Sequence, residues 1–279
     1  EDTLEALYCI AKYKRSLYNI PVIAITGSVG KTSTKDIIAN VVNMKYKTLK
    51  TEGNNNNNIG LPFTILKMQN EEAMVLEMGM NHFGEIDLLT NIAKPDIAII
   101  TNIGTSHIGN LGSRENILQA KLEILEGMKI PRVIINNDND LLHKWYEENK
   151  EKIEIHTYGI NNSSDVIAEK IELGEEKSKF VVKTSSEKVN IDVPVGGEHF
   201  VYNALCAMTV GKVLGISYEQ IKQGIASFEL TQKRMDMKRK CKDYNSYLDS
   251  LEMKVSIRRA TPIEYNRIAE LSKRTNKCT

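Results

Sequence analysis

Short apolar runs alternate with stretches of helical period along the first half of this chain. Val22–Thr26, Met74–Met78, Ile97–Thr101 and Val133–Asn136 carry almost no polar interruption. Runs of that kind suit strands buried on both faces, as in a parallel sheet covered by helices. Between them lie helical patterns. Asp2 to Tyr18 places Leu4, Leu7, Ile10, Ala11 and Leu17 near one face, and Pro21 breaks it. Further helices are predicted from Lys31 to Met44, Gly84 to Ala93 and Arg114 to Gly127. The alternation predicts an α/β fold with a mostly parallel sheet flanked by helices.

The pattern changes after Ile153. Val166–Leu173, Lys179–Thr184 and Val189–Val193 read as a small antiparallel addition, closed by helices over His199–Leu214 and Tyr218–Phe228. A second change comes near Met237, where Met253–Ile257 reads as a new strand and Pro262–Lys273 as a new amphipathic helix. The chain thus divides into an opening helix (1–18), a main domain (19–237) and a linker with a short, unrelated strand-helix tail (238–279). The asparagine run Asn54 to Asn58 sits between ordered elements and reads as a polar binding loop.

Charge and cysteines narrow the picture. Lys plus Arg total 37 against 36 for Asp plus Glu, so no electrostatic footprint for nucleic acid or a membrane surface is present. Lys238-Arg239-Lys240 reads as a solvated linker. Cys9, Cys206, Cys241 and Cys278 lie far apart without zinc-ligand spacing, and Cys206 falls in an apolar run that suits a small core residue. No apolar run is long enough for a membrane span, and the expected location is the cytoplasm.

The strongest chemical signal is Thr26-Gly27-Ser28-Val29-Gly30-Lys31-Thr32, between a strand and a helix. A phosphate loop needs that context. Gly27 and Gly30 let backbone N–H groups turn toward an anion, and the helix N-terminus adds a favourable partial charge. Lys31 would reach outer phosphates and the Thr32 hydroxyl would ligate Mg²⁺. Ile25 stands where G-x-x-x-x-G-K-[ST] requires its first glycine, and the alternative is a Gly-rich turn with a surface lysine. Glu77 ends an apolar strand, which would bring its carboxylate to the edge where ligands sit in α/β sheets. Its alternatives are a helix cap or a surface ion pair.

The run Val22 to Lys35 resembles the ATP loop of the Mur ligases. Further motifs follow in that family's order: Gly53-Asn54 with Asn57-Asn58-Ile59-Gly60-Leu61-Pro62, Leu76-Glu77-Met78-Gly79-Met80-Asn81-His82 and Gly84-Glu85-Ile86. Thr101-Asn102-Ile103-Gly104, Ser106-His107 and Gly112-Ser113-Arg114-Glu115-Asn116 come next. The resemblance covers roughly Glu1 to Asp236, and Glu77-Met78-Gly79-Met80-Asn81 favours the members that use D-alanyl-D-alanine.

The resemblance implies ATP and Mg²⁺ as cofactors. It implies a ligase joining D-alanyl-D-alanine to a UDP-muramoyl tripeptide through an acyl phosphate. Nucleotide contacts would fall to Gly27, Ser28, Val29, Gly30, Lys31, Thr32, Ser33 and, at the adenine, Asn203. Metal ligands would be Thr32, Glu77 and His107. His107 rests on the resemblance, since Mg²⁺ prefers oxygen. Lys121 matches a lysine that is often carbamylated, with an exposed lysine paired to a glutamate as its alternative. Asn57, Asn58, Thr105 and Ser106 resemble positions around the nucleotide-peptide substrate, with ordinary turn chemistry as the alternative.

Mur ligases also carry a UDP-gripping domain before the loop and a third domain after it. Here Asp2 to Tyr18 would be the last helix of the former, and Tyr247 to Thr261 instead resembles the end of FkbH-like proteins. Three alternatives stay open: a non-catalytic ATP-binding fragment or fusion, completion by a separate chain, and a folylpolyglutamate-type or other Mur substrate.

Overall fold

A computed structural model describes residues 2–184 and 187–229. The expected tail strand and helix, and the basic linker, lie outside the described residues. Helix α1 (Thr3–Ser16) is capped by the Asp2 carboxylate, which accepts from Leu4 N–H. The remaining order is β1 (Val22–Thr26), α2 (Lys31–Asn43), β2 (Thr48–Lys50), α3 (Gly60–Leu66), β3 (Ala73–Glu77), α4 (Glu85–Ala93) and β4 (Ile97–Ile100). Then come α5 (Ile108–Leu111), α6 (Arg114–Leu122), β5 (Arg132–Asn136), α7 (Asp140–Asn149), β6 (Glu154–Gly159), β7 (Val166–Leu173), β8 (Ser178–Thr184), β9 (Lys188–Val193), α8 (Glu198–Val213) and α9 (Tyr218–Ala226).

The strands form one nine-stranded sheet in the order β2-β3-β1-β4-β5-β6-β7-β8-β9. Pairing is parallel from β2 through β7 and antiparallel across β7-β8 and β8-β9. The expected antiparallel addition is therefore an extension of the main sheet, joined through β6. That strand begins Glu-Ile-His and lacks the uninterrupted apolar run that marks β1 or β4, so periodicity alone passes it over. The helix expected over Arg114–Gly127 ends at Leu122 and continues as a 3₁₀ turn, Glu123–Leu125.

Strand alternation divides the core. Val22, Ala24, Leu76, Ala98, Ile100 and Val133 pack with α1, α3, α4 and α6 residues such as Ala11, Leu61, Leu89 and Ile117. The opposite face is covered by α2, which packs on α8 and α9. Cys206 lies fully buried in α8, as expected, and burial pushes its thiol up to about 12.

The order β3-β1-β4 makes β1 a switch point, where successive connections leave to opposite sides. Ligands of open α/β sheets bind outside the strand C-termini at such points. The chain after β1, the end of β3 and the chain after β4 all meet there.

Candidate functional site

The loop after β1 is fixed by sterics first. Gly27 has φ 152°, and a Cβ there would lie 1.9 Å from Thr101 Oγ1. Gly30 has φ 82° and forms the N-cap of α2. Ser28 is buried beneath the loop and Val29 is exposed at its tip. The Lys31 ammonium turns back to donate to Gly27 O at 2.9 Å. Burial lowers its pKa, opposed by the charge of Glu77. Thr32 is half-buried in the first turn and Ser33 is buried behind it.

Glu77 stands in register with Ile25 of β1. Its Oε1 accepts from Asn56 Nδ2 at 2.8 Å and its N–H donates to Thr51 Oγ1 at 3.0 Å. Its Oε2 is buried without a hydrogen bond, and the Lys35 ammonium is 4.0 Å away. A buried carboxylate oxygen without a donor suits a cation. Among the described residues no cluster of three or more His, Cys, Asp or Glu side chains could hold a metal. That sparse donor set fits Mg²⁺, which keeps waters and substrate oxygens and needs only one or two protein ligands. Glu77 and the Thr32 hydroxyl are oxygen donors of the right kind.

His107 adopts φ 66° at the start of α5 and is an exposed residue whose imidazole is partly covered. Its pKa is lowered by burial, then by the charges of Lys121 and Lys31. Lys121, at the end of α6, is 2% exposed, which removes the alternative of a solvent-exposed ion pair. Burial, with Lys31 nearby, lowers its pKa to about 7. Lys31, Glu77, His107 and Lys121 therefore share one electrostatic neighbourhood.

Asn203 on α8 is buried, and its Oδ1 accepts from Thr34 Oγ1 at 2.9 Å. It thereby ties α8 to the opening of α2. Asn57 caps the turn into α3, its Oδ1 accepting from Ile59 N–H at 3.1 Å and Gly60 N–H at 2.8 Å. Asn58 Nδ2 donates to Tyr8 Oη at 3.1 Å. Thr105 and Ser106 lie in the loop entering α5, where Thr105 O accepts from Ile108 N–H. Sequence reasoning assigned no role to Thr34, Asn56, Thr51, Lys35 or Asn102. Asn56 hid inside the asparagine run, and only its position under Glu77 distinguishes it.

Residues 25–211 match the Mur ligase middle domain. The chain is 42% identical over 239 residues to UDP-N-acetylmuramoyl-tripeptide–D-alanyl-D-alanine ligase of Bacillus subtilis, covering 85% of this chain and 51% of that protein. Crystal structure I of MurF from Acinetobacter baumannii superposes with a TM-score of 0.78 at 35% identity, covering 84% of this chain and 51% of that one. MurF ligase from Thermotoga maritima in complex with ADP gives a TM-score of 0.75 at 28% identity, covering 83% and 53%. The chain therefore spans about half the length of these relatives. With two thirds of its residues aligned to that middle domain, this chain belongs to the Mur ligase family.

Proposed function

We propose that the chain is the nucleotide-binding core of an ATP-dependent ligase that adds D-alanyl-D-alanine to a UDP-muramoyl tripeptide. The observation that carries this reading is the orphaned Oε2 of Glu77 beside a glycine-built loop and Lys31. The similarity to ligases named for that reaction supplies the substrate class. ATP would transfer its γ-phosphoryl group to the peptide carboxylate, releasing ADP. The amine of D-alanyl-D-alanine would then attack the acyl carbon and expel phosphate, leaving an amide.

Phosphoryl transfer asks mainly for positioning and charge stabilisation. Lys31 would leave Gly27 O and extend to the outer phosphates. N–H groups at the opening of α2, from Gly30 to Thr32, would bind phosphate oxygens, with Gly27, Ser28 and Val29 shaping the loop around them, and Asn203 would meet the adenine edge. Glu77, Thr32 and His107 would hold Mg²⁺, which when bound supplies neutralising charge to the phosphates. Lys121, buried and readily neutral, has the amine form that CO₂ attack requires, and its carbamate would place an anion near the metal. Asn57, Asn58, Thr105 and Ser106 would border the peptide substrate.

Calorimetry of MgATP binding to the parent and to Lys31→Ala, followed by phosphate release with both substrates, tests this. Binding lost in the variant and substrate-dependent phosphate release support the ligase. Binding without turnover supports a nucleotide-binding fragment instead. Absence of binding in the parent sinks both. Glu77→Gln should bind ATP without its Mg²⁺ enhancement, and an unchanged Mg²⁺ response would remove Glu77 from the metal site.

A further inference from the structure

Thr101-Asn102-Ile103-Gly104 follows β4, and the mechanism above gives it no task. Its atoms make a set of hydrogen bonds to Ser28 and Val29 of the phosphate loop. Asn102 Oδ1 accepts from Ser28 N–H and Val29 N–H, both at 3.0 Å. Asn102 Nδ2 donates to Val29 O at 3.2 Å. The backbone O of Asn102 shares the Ser28 N–H at 3.0 Å. Thr101 Oγ1 donates to Val29 O at 3.0 Å and Gly104 N–H to Ser28 Oγ at 2.8 Å. A carboxamide carries an acceptor oxygen and a donor nitrogen on one planar group, and so meets two N–H groups and one carbonyl together.

We infer that Asn102 is a positioning residue that clamps the tip of the phosphate loop to β4 and so pre-forms the nucleotide site. This rests on the nucleotide-binding reading above. The loop's N–H groups divide into two sets. Those of Ser28 and Val29 anchor the loop to the chain after β4, whereas helix geometry gives those of Gly30, Lys31 and Thr32 no intrahelical acceptor, which leaves them for a phosphate. The glycine at position 27 lets the chain after β4 come this close, since a Cβ there would lie 1.9 Å from Thr101 Oγ1. Preorganisation raises affinity by removing the ordering cost at the moment of binding.

Asn102→Ala should weaken MgATP binding about tenfold or more while adenosine, which makes no use of the loop, binds as in the parent. Backbone amides of Ser28 and Val29 should exchange hydrogen faster in the variant. Thr101→Val, which keeps shape and loses one hydrogen bond, should move both readouts less in the same direction. MgATP affinity equal to or above the parent's would overturn the clamp. So would an equal loss for ATP and adenosine, which assigns Asn102 to the fold. If the parent itself fails to bind MgATP, the nucleotide reading falls, and amide exchange still decides the clamp: unchanged protection in Asn102→Ala refutes it.

Discussion

Lys121 is 2% exposed and its pKa falls from 10.5 to about 7 through burial and the nearby Lys31 charge. Carrying that charge into the fold at low pH costs about 5 kcal/mol on the usual free-energy equivalence. Because the native value lies below the unfolded one, the unfolded chain holds the extra proton between about pH 7 and about pH 10.5. Stability from this group is therefore lowest below about pH 7 and rises with pH across that window. Integration assigns about 2 kcal/mol of the gain to the interval between about pH 7 and about pH 9. Lys121→Met keeps most of the volume and removes the titration. In CO₂-free buffer the variant should be more stable than the parent near neutrality, by chemical denaturation. Its advantage should shrink by about 2 kcal/mol on moving to about pH 9. The difference between the two proteins cancels the titrating groups that Lys121 does not reach; His107 and Lys31 are coupled to it. A stability difference independent of pH would refute the reasoning, because it would mean that Lys121 keeps an ordinary pKa. Added bicarbonate should then stabilise the parent alone if the neutral amine is carbamylated in the folded state.

Two more outcomes follow from geometry. Gly27→Ala sets a Cβ 1.9 Å from Thr101 Oγ1 and should cost about 2 to 4 kcal/mol in denaturation, partly regained in combination with Thr101→Ala. Asp138 titrates in the acid range. Burial works against its ionisation, but N–H groups of Ile160, Asn162 and Asn161 and the Tyr202 hydroxyl outweigh it and hold its pKa below the usual carboxylate value. Its contribution is present above the unfolded pKa and lost as pH falls through the folded one, so Asp138→Asn should flatten the acid limb of a stability–pH curve. An acid limb as steep as the parent's would refute that assignment.

Periodicity found β1, β3, β4 and β5 because each is an apolar run buried on both faces. It missed β2, at three residues and half-buried, and β6, whose first half is exposed or intermediate. It also missed α3, where Pro62 and Gly60 disguise a helix, and α7, whose buried stripe reduces to Leu142. Position in the sheet compensates for what these segments lack in intrinsic signal. The loop was legible because its glycines answer local steric demands. Asn102 was not, since its hydrogen bonds reach back to residues Ser28 and Val29, far away in sequence. The asparagine run presented the opposite difficulty: five identical side chains with different tasks, of which Asn56 alone donates to Glu77.

The charge state of the site follows from the same topology. A site for a polyphosphate and a divalent cation must avoid both an excess of fixed cations, which would exclude the metal, and an excess of anions, which would exclude the nucleotide. Lys31 lies near Glu77, Lys121 lies near Lys31, and His107 feels Lys121, Lys31 and Glu85, while the buried Lys35 ammonium stands 4.0 Å from Glu77 Oε2. Each further charged base there would add to the repulsion of a metal. Burial lowers the pKa of Lys121, to about 7, and that of His107, where the charges of Lys121 and Lys31 add to it. Lys31 is held on Gly27 O at 2.9 Å, its pKa lowered by burial and opposed by Glu77. Sequence could name each of these residues by resemblance, but their charge states depend on depth below the surface, which only the packed fold sets.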